Sequence, residues 1–91
     1  MMKFEWEPAK ASLNVRKHGV SFDEAVSVFL DPFAVSGPDP DHSIGESRYI
    51  TFGISGLGHL LAVSHTYRSG TIRIISVRRM TRIERKIYEE N

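Results

Sequence analysis

The sequence has 91 residues and a mass of 10.3 kDa, which is the size of one small domain, residues 1–91. With 41% hydrophobic and 25% charged residues it is typical of a globular chain, which excludes a disordered segment, a collagen-like repeat and a coiled coil. The absence of cysteine excludes a disulfide framework and a cysteine-based zinc site, and no apolar run is long enough to span a bilayer. We therefore expect a cytoplasmic protein that does not engage a membrane.

The first third of the chain predicts a short strand followed by two helices. Residues 3–6 alternate in polarity as a strand does, and residues 8–18 predict a helix that begins at a proline and ends at Gly19. Ser21 and Glu24 have the spacing of a capping box, which predicts the start of a second helix that the next Asp-Pro pair ends. The two helices form a helical hairpin.

The remainder predicts a sheet and a last helix. The segment 31–47, rich in Pro, Gly, Asp and Ser, predicts a loop around a short strand at Phe33–Val35. A second capping box, Thr81 and Glu84, opens a final helix whose apolar side chains Ile83, Ile87 and Tyr88 we expect to face inward. Between them lie three strand-like stretches joined by glycine-containing turns: Arg48–Ser55, His59–Arg68 and Thr71–Arg78. The order β-α-α-β-β-β-β-α predicts an α+β domain with an antiparallel sheet packed against helices.

Positive charge is concentrated in the last quarter of the chain. Residues 1–65 carry five Lys/Arg against eight Asp/Glu, whereas residues 66–91 carry seven Lys/Arg against three Asp/Glu. Six of these seven cations are arginine, whose planar guanidinium suits phosphate. The pattern favours equally a phosphate-binding surface and a solvated basic face that docks an acidic partner. The seven cations are Arg68, Arg73, Arg78, Arg79, Arg82, Arg85 and Lys86.

The residue types permit RNA cleavage by attack of the ribose 2′-hydroxyl on the adjacent phosphorus. Such a site needs cations for the developing charge on phosphorus and groups that move protons. We assign catalytic roles to five residues, with His65 as a base or acid, Glu46 as a base and the arginines as charge stabilisers: Arg68, Arg78, Glu46, Arg48 and His65. We assign RNA binding to Arg73, Arg79, Arg82, Arg85 and Lys86.

This hypothesis requires that Arg68, Arg73 and Arg78 converge in space, and it has structural alternatives. His65 shares a strand face with Leu61 and Val63, so a buried core histidine is at least as well supported as a catalytic one. Arg78 and Arg79 have carboxylates nearby in sequence with which to form purely structural pairs. The acidic loop lacks the spacing of a known metal site, so we expect no metal and no cofactor.

Taken together, these segments resemble the BrnT family, the toxin halves of bacterial type II toxin–antitoxin pairs. The KHGVSF run and the RIIS-x-R strand, in this order, carry most of the resemblance; Tyr67 departs from it, since Glu is common at that position. The matching segments are Trp6-Glu7-Pro8, Lys17-His18-Gly19-Val20-Ser21-Phe22, Asp31-Pro32, His42, Glu46 with Arg48, Thr66 with Arg68, Arg73-Ile74-Ile75-Ser76-Val77-Arg78, and Glu84-Arg85 with Tyr88.

The resemblance implies a RelE-like ribonuclease fold and RNA cleavage that needs no metal and arrests translation. It also implies a cognate antitoxin with a ribbon-helix-helix DNA-binding domain, and operator DNA bound only by the joint complex. By position it carries over Arg68 and Arg78 first, then Glu46 and Arg48, then His65 and Arg73. Two other functions use the same cations: a non-catalytic nucleic-acid-binding module, and a structural partner whose basic face docks an acidic chain.

Overall fold

The computed structural model describes residues 2–39 and 47–91, and contains three helices and one five-stranded sheet within them. The strands lie side by side in the order β1-β5-β4-β3-β2. Along the chain the elements are β1 (Lys3–Glu5), α1 (Pro8–His18), α2 (Phe22–Val28), β2 (Val35–Pro38), β3 (Tyr49–Ile54), β4 (Leu60–Arg68), β5 (Thr71–Arg79) and α3 (Arg82–Glu89). The predicted α+β class is confirmed, and the strand predicted at Phe33–Val35 begins instead at its last residue.

The sheet is mixed, so the expectation of an antiparallel sheet is wrong for one strand pair. Strands β2 to β5 pair antiparallel, as their turns predict, but β1 pairs parallel to β5 through the register Phe4–Ile72. This pairing joins two segments that are far apart in the sequence, so no local turn signal predicts it. A register shift between Ser64 and His65 adds one residue to β5 at this point.

Helix α1 begins and ends where the sequence predicts, whereas α2 begins at the predicted residue but ends at Val28, before the Asp31-Pro32 pair predicted to end it. Gly19 ends α1 in the left-handed conformation, with φ 69°, which glycine adopts without steric cost. Ser21 caps α2 by accepting a hydrogen bond from the backbone N–H of Glu24. The Glu24 carboxylate does not complete the predicted capping box. It forms hydrogen bonds instead with Ser55 and His59, at the two ends of the turn between β3 and β4.

The core lies between these two helices and one face of the sheet, which we call the helix-covered face. Its buried strand residues include Leu61, Val63 and Ile74, and its helix residues include Phe22 and Val28. The side-chain amide of Asn14 extends this packing, since it donates to the carbonyl of Val77 and accepts from the same residue's N–H. This side-chain amide thus supplies hydrogen-bond partners for backbone groups of β5 that lie beyond the end of β1.

Among the helices that the structure describes, α3 lies on the opposite face of the sheet, which we call the open face. This helix has no buried residue, and Ile83 and Ile87 are 72% and 44% exposed, so the expectation that they face inward is wrong. Helix α3 is attached instead by Glu84, which binds Arg78, and by Tyr88, whose hydroxyl donates to Asp31. The helix is therefore held on the sheet by two polar side chains rather than by apolar burial.

Candidate nucleic-acid interface

Three arginines lie at one end of the open face. Side chains alternate along a strand, so the burial of His65 on the helix-covered face directs Thr66 and Arg68 to the open face. Thr66 is paired with Arg73 on β5, and its hydroxyl donates to the carbonyl of Ser47 at 2.8 Å, which places Arg48 beside it. Arg48, Arg68 and Arg73 therefore surround Thr66, and we call this group the basic end.

The guanidinium of Arg73 is oriented by a neighbouring strand. Glu5 is its register partner on β1, and Arg73 Nη1 donates to Glu5 Oε2 at 2.7 Å. The Arg73 side chain is 23% exposed and the Glu5 side chain 42% exposed, so water screens the pair and its contribution to stability is at most about 1 kcal/mol. Its effect is positional, because it holds the guanidinium of Arg73 toward β1, on the side of β5 away from β4.

Arg78 lies at the other end of the sheet, so the expected convergence of Arg68, Arg73 and Arg78 is wrong. Arg78 pairs with Ala62, and β4 continues for six residues before reaching Arg68, a distance of about 20 Å at 3.3 Å per residue. Arg78 forms a two-pronged ion pair with Glu84, at 2.7 and 2.9 Å. These hydrogen bonds raise the pKa of Arg78 and lower that of Glu84. The structural alternative considered for Arg78 is thus realised.

The four remaining cations of the C-terminal block take two other positions. Arg79 follows Arg78 on the strand and so turns to the opposite side, where its charge helps to lower the pKa of Glu24. Three exposed cations lie on α3: Arg82, Arg85 and Lys86. The structure therefore divides the block of positive charge among the basic end, α3 and the end of β5.

His65 is a core histidine in this structure. It is completely buried on the helix-covered face, packs edge-on against the ring of Phe29, and its Nε2 lies 2.7 Å from the hydroxyl of Thr51. Burial lowers the pKa of His65 to about 4, because the charged imidazolium would be removed from water. Sheet and core separate it from the arginines of the open face, so the structure favours the alternative to a catalytic role.

Glu46, the proposed base, and His42 lie outside the described residues. Within the described ranges no group of three or more His, Cys, Asp or Glu side chains is placed to hold a metal ion. In the same part of the chain, no helix is long and apolar enough to cross a membrane.

A contact that the sequence analysis did not predict joins Glu24 of α2 to His59, the residue immediately before β4. His59 Nδ1 lies 2.7 Å from Glu24 Oε2. In the sequence Glu24 has the spacing of a capping residue, and this local explanation hid its long-range partner. The sequence shows that a histidine and a glutamate are present, but it does not indicate that they are in contact.

Two comparisons with known proteins bear on this architecture. Residues 6–84 match the model of the family described as the ribonuclease toxin, BrnT, of type II toxin–antitoxin systems. The fold is similar to that in a crystal structure of the Brucella abortus ribonuclease toxin BrnT, with a TM-score of 0.72 and 24% identity over 90% of this chain and 100% of that one. No curated protein matches the chain. Because the family model spans most of the sequence, this chain belongs to the BrnT family of ribonuclease toxins of type II toxin–antitoxin systems.

Proposed function

We propose that this toxin cleaves RNA on the open face of its sheet, with the basic end as the part that grips the strand. The observation that carries the proposal is the grouping of Arg48, Arg68 and Arg73 around Thr66 on a face that α1 and α2 do not cover. Guanidinium groups on a strand surface bind successive phosphates of a single-stranded backbone. The exposed cations of α3 extend this surface beyond the sheet.

The proposed chemistry is intramolecular. The ribose 2′-hydroxyl attacks the adjacent phosphorus, the bond from phosphorus to O5′ breaks, and a 2′,3′-cyclic phosphate and a 5′-hydroxyl result. Arginines at the basic end stabilise the added charge on the phosphoryl oxygens, an effect worth several kcal/mol in comparable sites. Glu46, two residues before Arg48, is the proposed base for the 2′-hydroxyl proton. The reaction in this form uses no metal, and cleavage of messenger RNA in a RelE-like manner would arrest translation.

We assign Arg78 a supporting role. Its ion pair with Glu84 engages both terminal nitrogens, so its guanidinium is directed to α3 at the opposite end of the sheet from the basic end. The same pair fixes α3 beside the open face and so shapes one wall of the surface on which RNA would lie. Arg78 therefore acts through position and field rather than by holding the scissile phosphate.

The proposed partner is an antitoxin with a ribbon-helix-helix domain, whose toxin-binding segment covers the open face beside α3. Glu84 and Tyr88 attach α3 to the sheet, and at 100° per residue Ile83 and Ile87 lie on one flank and Arg85 on the other. Arg85 contacts the turn between β3 and β4, so the exposed isoleucines face back along the open face. An acidic, amphipathic segment matches this combination of an apolar flank and a basic end.

An RNA-cleavage assay on purified protein in EDTA tests the ribonuclease proposal. We expect Arg68→Ala and Arg73→Ala each to reduce the cleavage rate by about 100-fold, the loss typical of a missing charge-stabilising donor. Arg16→Ala removes an exposed arginine from α1, on the helix-covered side, and should leave the rate unchanged. Thermal unfolding should show that all three variants remain folded, with a loss of at most about 1 kcal/mol in Arg73→Ala from its pair with Glu5.

Three outcomes contradict parts of the proposal. Full activity in both Arg68→Ala and Arg73→Ala removes the basic end as the site. Loss of all activity on addition of EDTA removes the metal-free mechanism. Salt-sensitive RNA binding with no cleavage under any condition leaves a binding module that does not perform the chemistry.

A further inference from the structure

A cavity of about 250 Å³ lies at the end of the sheet opposite the basic end, and the proposal above does not use it. The turn between β3 and β4 forms one wall, the end of β5 a second and α3 a third. We call it the hairpin-end cavity. Its lining residues are Gly58, His59, Leu60, Arg79, Met80 and Arg85.

His59 is held in this cavity by a buried carboxylate. Its Nδ1 lies 2.7 Å from Glu24 Oε2, and the Glu24 side chain is only 9% exposed. An ionised carboxylate only accepts hydrogen bonds, so Nδ1 carries a proton and donates it to Glu24. The His59 side chain is 36% exposed and lines the cavity, so its ring signals report on a ligand bound there.

The carboxylate is itself fixed by the turn. The Ser55 hydroxyl donates to Glu24 Oε2 at 2.6 Å and accepts the backbone N–H groups of Leu57 and His59. Burial by itself raises the pKa of Glu24, but the hydrogen bonds from Ser55 and His59 and the charge of Arg79 outweigh it and lower the pKa. Glu24 is therefore ionised near neutral pH, and both the rotamer and the tautomer of His59 are set before any ligand arrives.

We propose that the hairpin-end cavity binds a phosphate group through the guanidinium groups of Arg79 and Arg85. Both arginines line this one small cavity, and the Glu24 carboxylate lies behind the imidazole ring of His59 rather than in the opening. As an RNA subsite the cavity rests on the ribonuclease function proposed above, and the exposed Arg82 and Lys86 lie on the same helix as Arg85. A terminal phosphate of a free nucleotide offers the same chemistry.

Imidazole NMR spectra of the histidine-labelled, full-length protein test the proposal, with inorganic phosphate and a 2′-O-methyl RNA oligonucleotide as the two probes. We expect saturable shifts of the His59 signals as inorganic phosphate is added. Arg85→Ala removes an exposed side chain from the cavity wall and should weaken phosphate binding about tenfold. His18→Gln is the matched control, because this exposed histidine lies at the far end of α1.

The outcomes separate the ligand sources and the two proposals. Competition between the oligonucleotide and phosphate at His59 identifies the ligand as the RNA backbone, whereas phosphate binding that the oligonucleotide does not displace identifies a free phosphate and rejects the RNA subsite. Unmoved His59 signals with both probes, or equal affinity of Arg85→Ala and the unsubstituted protein, overturn the cavity as a phosphate site; the Glu24–His59 contact is then only an anchor for the turn. If the protein binds phosphate in the cavity but cleaves no RNA, the proposed ribonuclease site at the basic end is rejected and the cavity remains supported as a phosphate site.

Discussion

The two faces of the sheet are stabilised in opposite ways. On the helix-covered face, Phe22, Val28 and Leu61 are almost completely removed from water, and packing holds the layers together. On the open face, α3 is attached by an ion pair and one hydroxyl, and its isoleucines are exposed. Apolar packing on the helix-covered face therefore contributes most to the stability of the fold, so substitutions on the two faces should have different effects.

The largest effect is expected in the core. Phe22→Ala removes a ring that is 2% exposed and that meets Trp6 edge-on, and should lower the free energy of unfolding by about 3–5 kcal/mol. Phe33→Ala is the matched control, since Phe33 is 72% exposed and its loss should change stability by less than about 0.5 kcal/mol. Urea unfolding of both variants measures this. Similar losses in the two variants would contradict the contrast between the faces.

The second effect is a pH dependence carried by His65. Its pKa is about 4 in the folded chain and 6.5 when unperturbed, so between these values the unfolded chain binds more protons than the folded one. Stability therefore falls as the pH is lowered from 6.5 to about 4, by about 3 kcal/mol from this group. Urea unfolding across this range, compared with His65→Gln, isolates the contribution. Parallel pH profiles for the two proteins would show that His65 is not neutral in the core.

A smaller effect is expected where α3 meets the sheet. Glu84→Gln weakens the pair with Arg78, and since both groups are partly exposed we expect a loss of about 1 kcal/mol, confined to α3. The pKa of Glu84 is depressed in the fold, so its contribution is present above the ordinary value of 4.5 and is lost as the pH falls through the lower folded value. Hydrogen exchange of the α3 amides measures this, with the exposed Glu89→Gln as control. Equal protection in both variants would show that the pair does not hold the helix.

The smallest effect on stability is expected at the exposed flank of α3. Ile83→Ala should change the free energy of unfolding by less than about 0.5 kcal/mol, because the side chain is 72% exposed. The same substitution should weaken binding of the cognate antitoxin about tenfold, as measured by titration calorimetry. A loss of stability above 1 kcal/mol would mean that Ile83 supports the fold, and unchanged antitoxin affinity would remove the proposed contact.

Elements whose signals are local were predictable from the sequence. The proline at the start of α1, Gly19 at its end and the capping box of α3 each involve residues within a few positions of one another, and each is found. The parallel pairing of Phe4 with Ile72 was not predictable in this way, because it depends on how the completed layers pack. Apolar residues at helical spacing also misled at Ile83 and Ile87, since periodicity reports an apolar stripe and not what covers it.

The same distinction between local and long-range signals applies to the candidate site. Strand alternation correctly placed Leu61, Val63 and His65 together, but it did not say which face the helices would cover. The clustering of arginines in sequence predicted an anion-binding surface, yet register alone separates Arg78 from Arg68 by most of the length of β4. A charge run in the sequence therefore does not specify the geometry of a site.

The amide of Asn14 has a consequence for association between molecules. Strand β5 extends past the short β1, and an uncovered stretch there would present unpaired N–H and C=O groups as a template for a strand of another chain. By bonding both groups of Val77, one side chain removes that residue from the exposed edge without lengthening β1. The amide therefore reduces the tendency of this margin of the sheet to pair with another molecule.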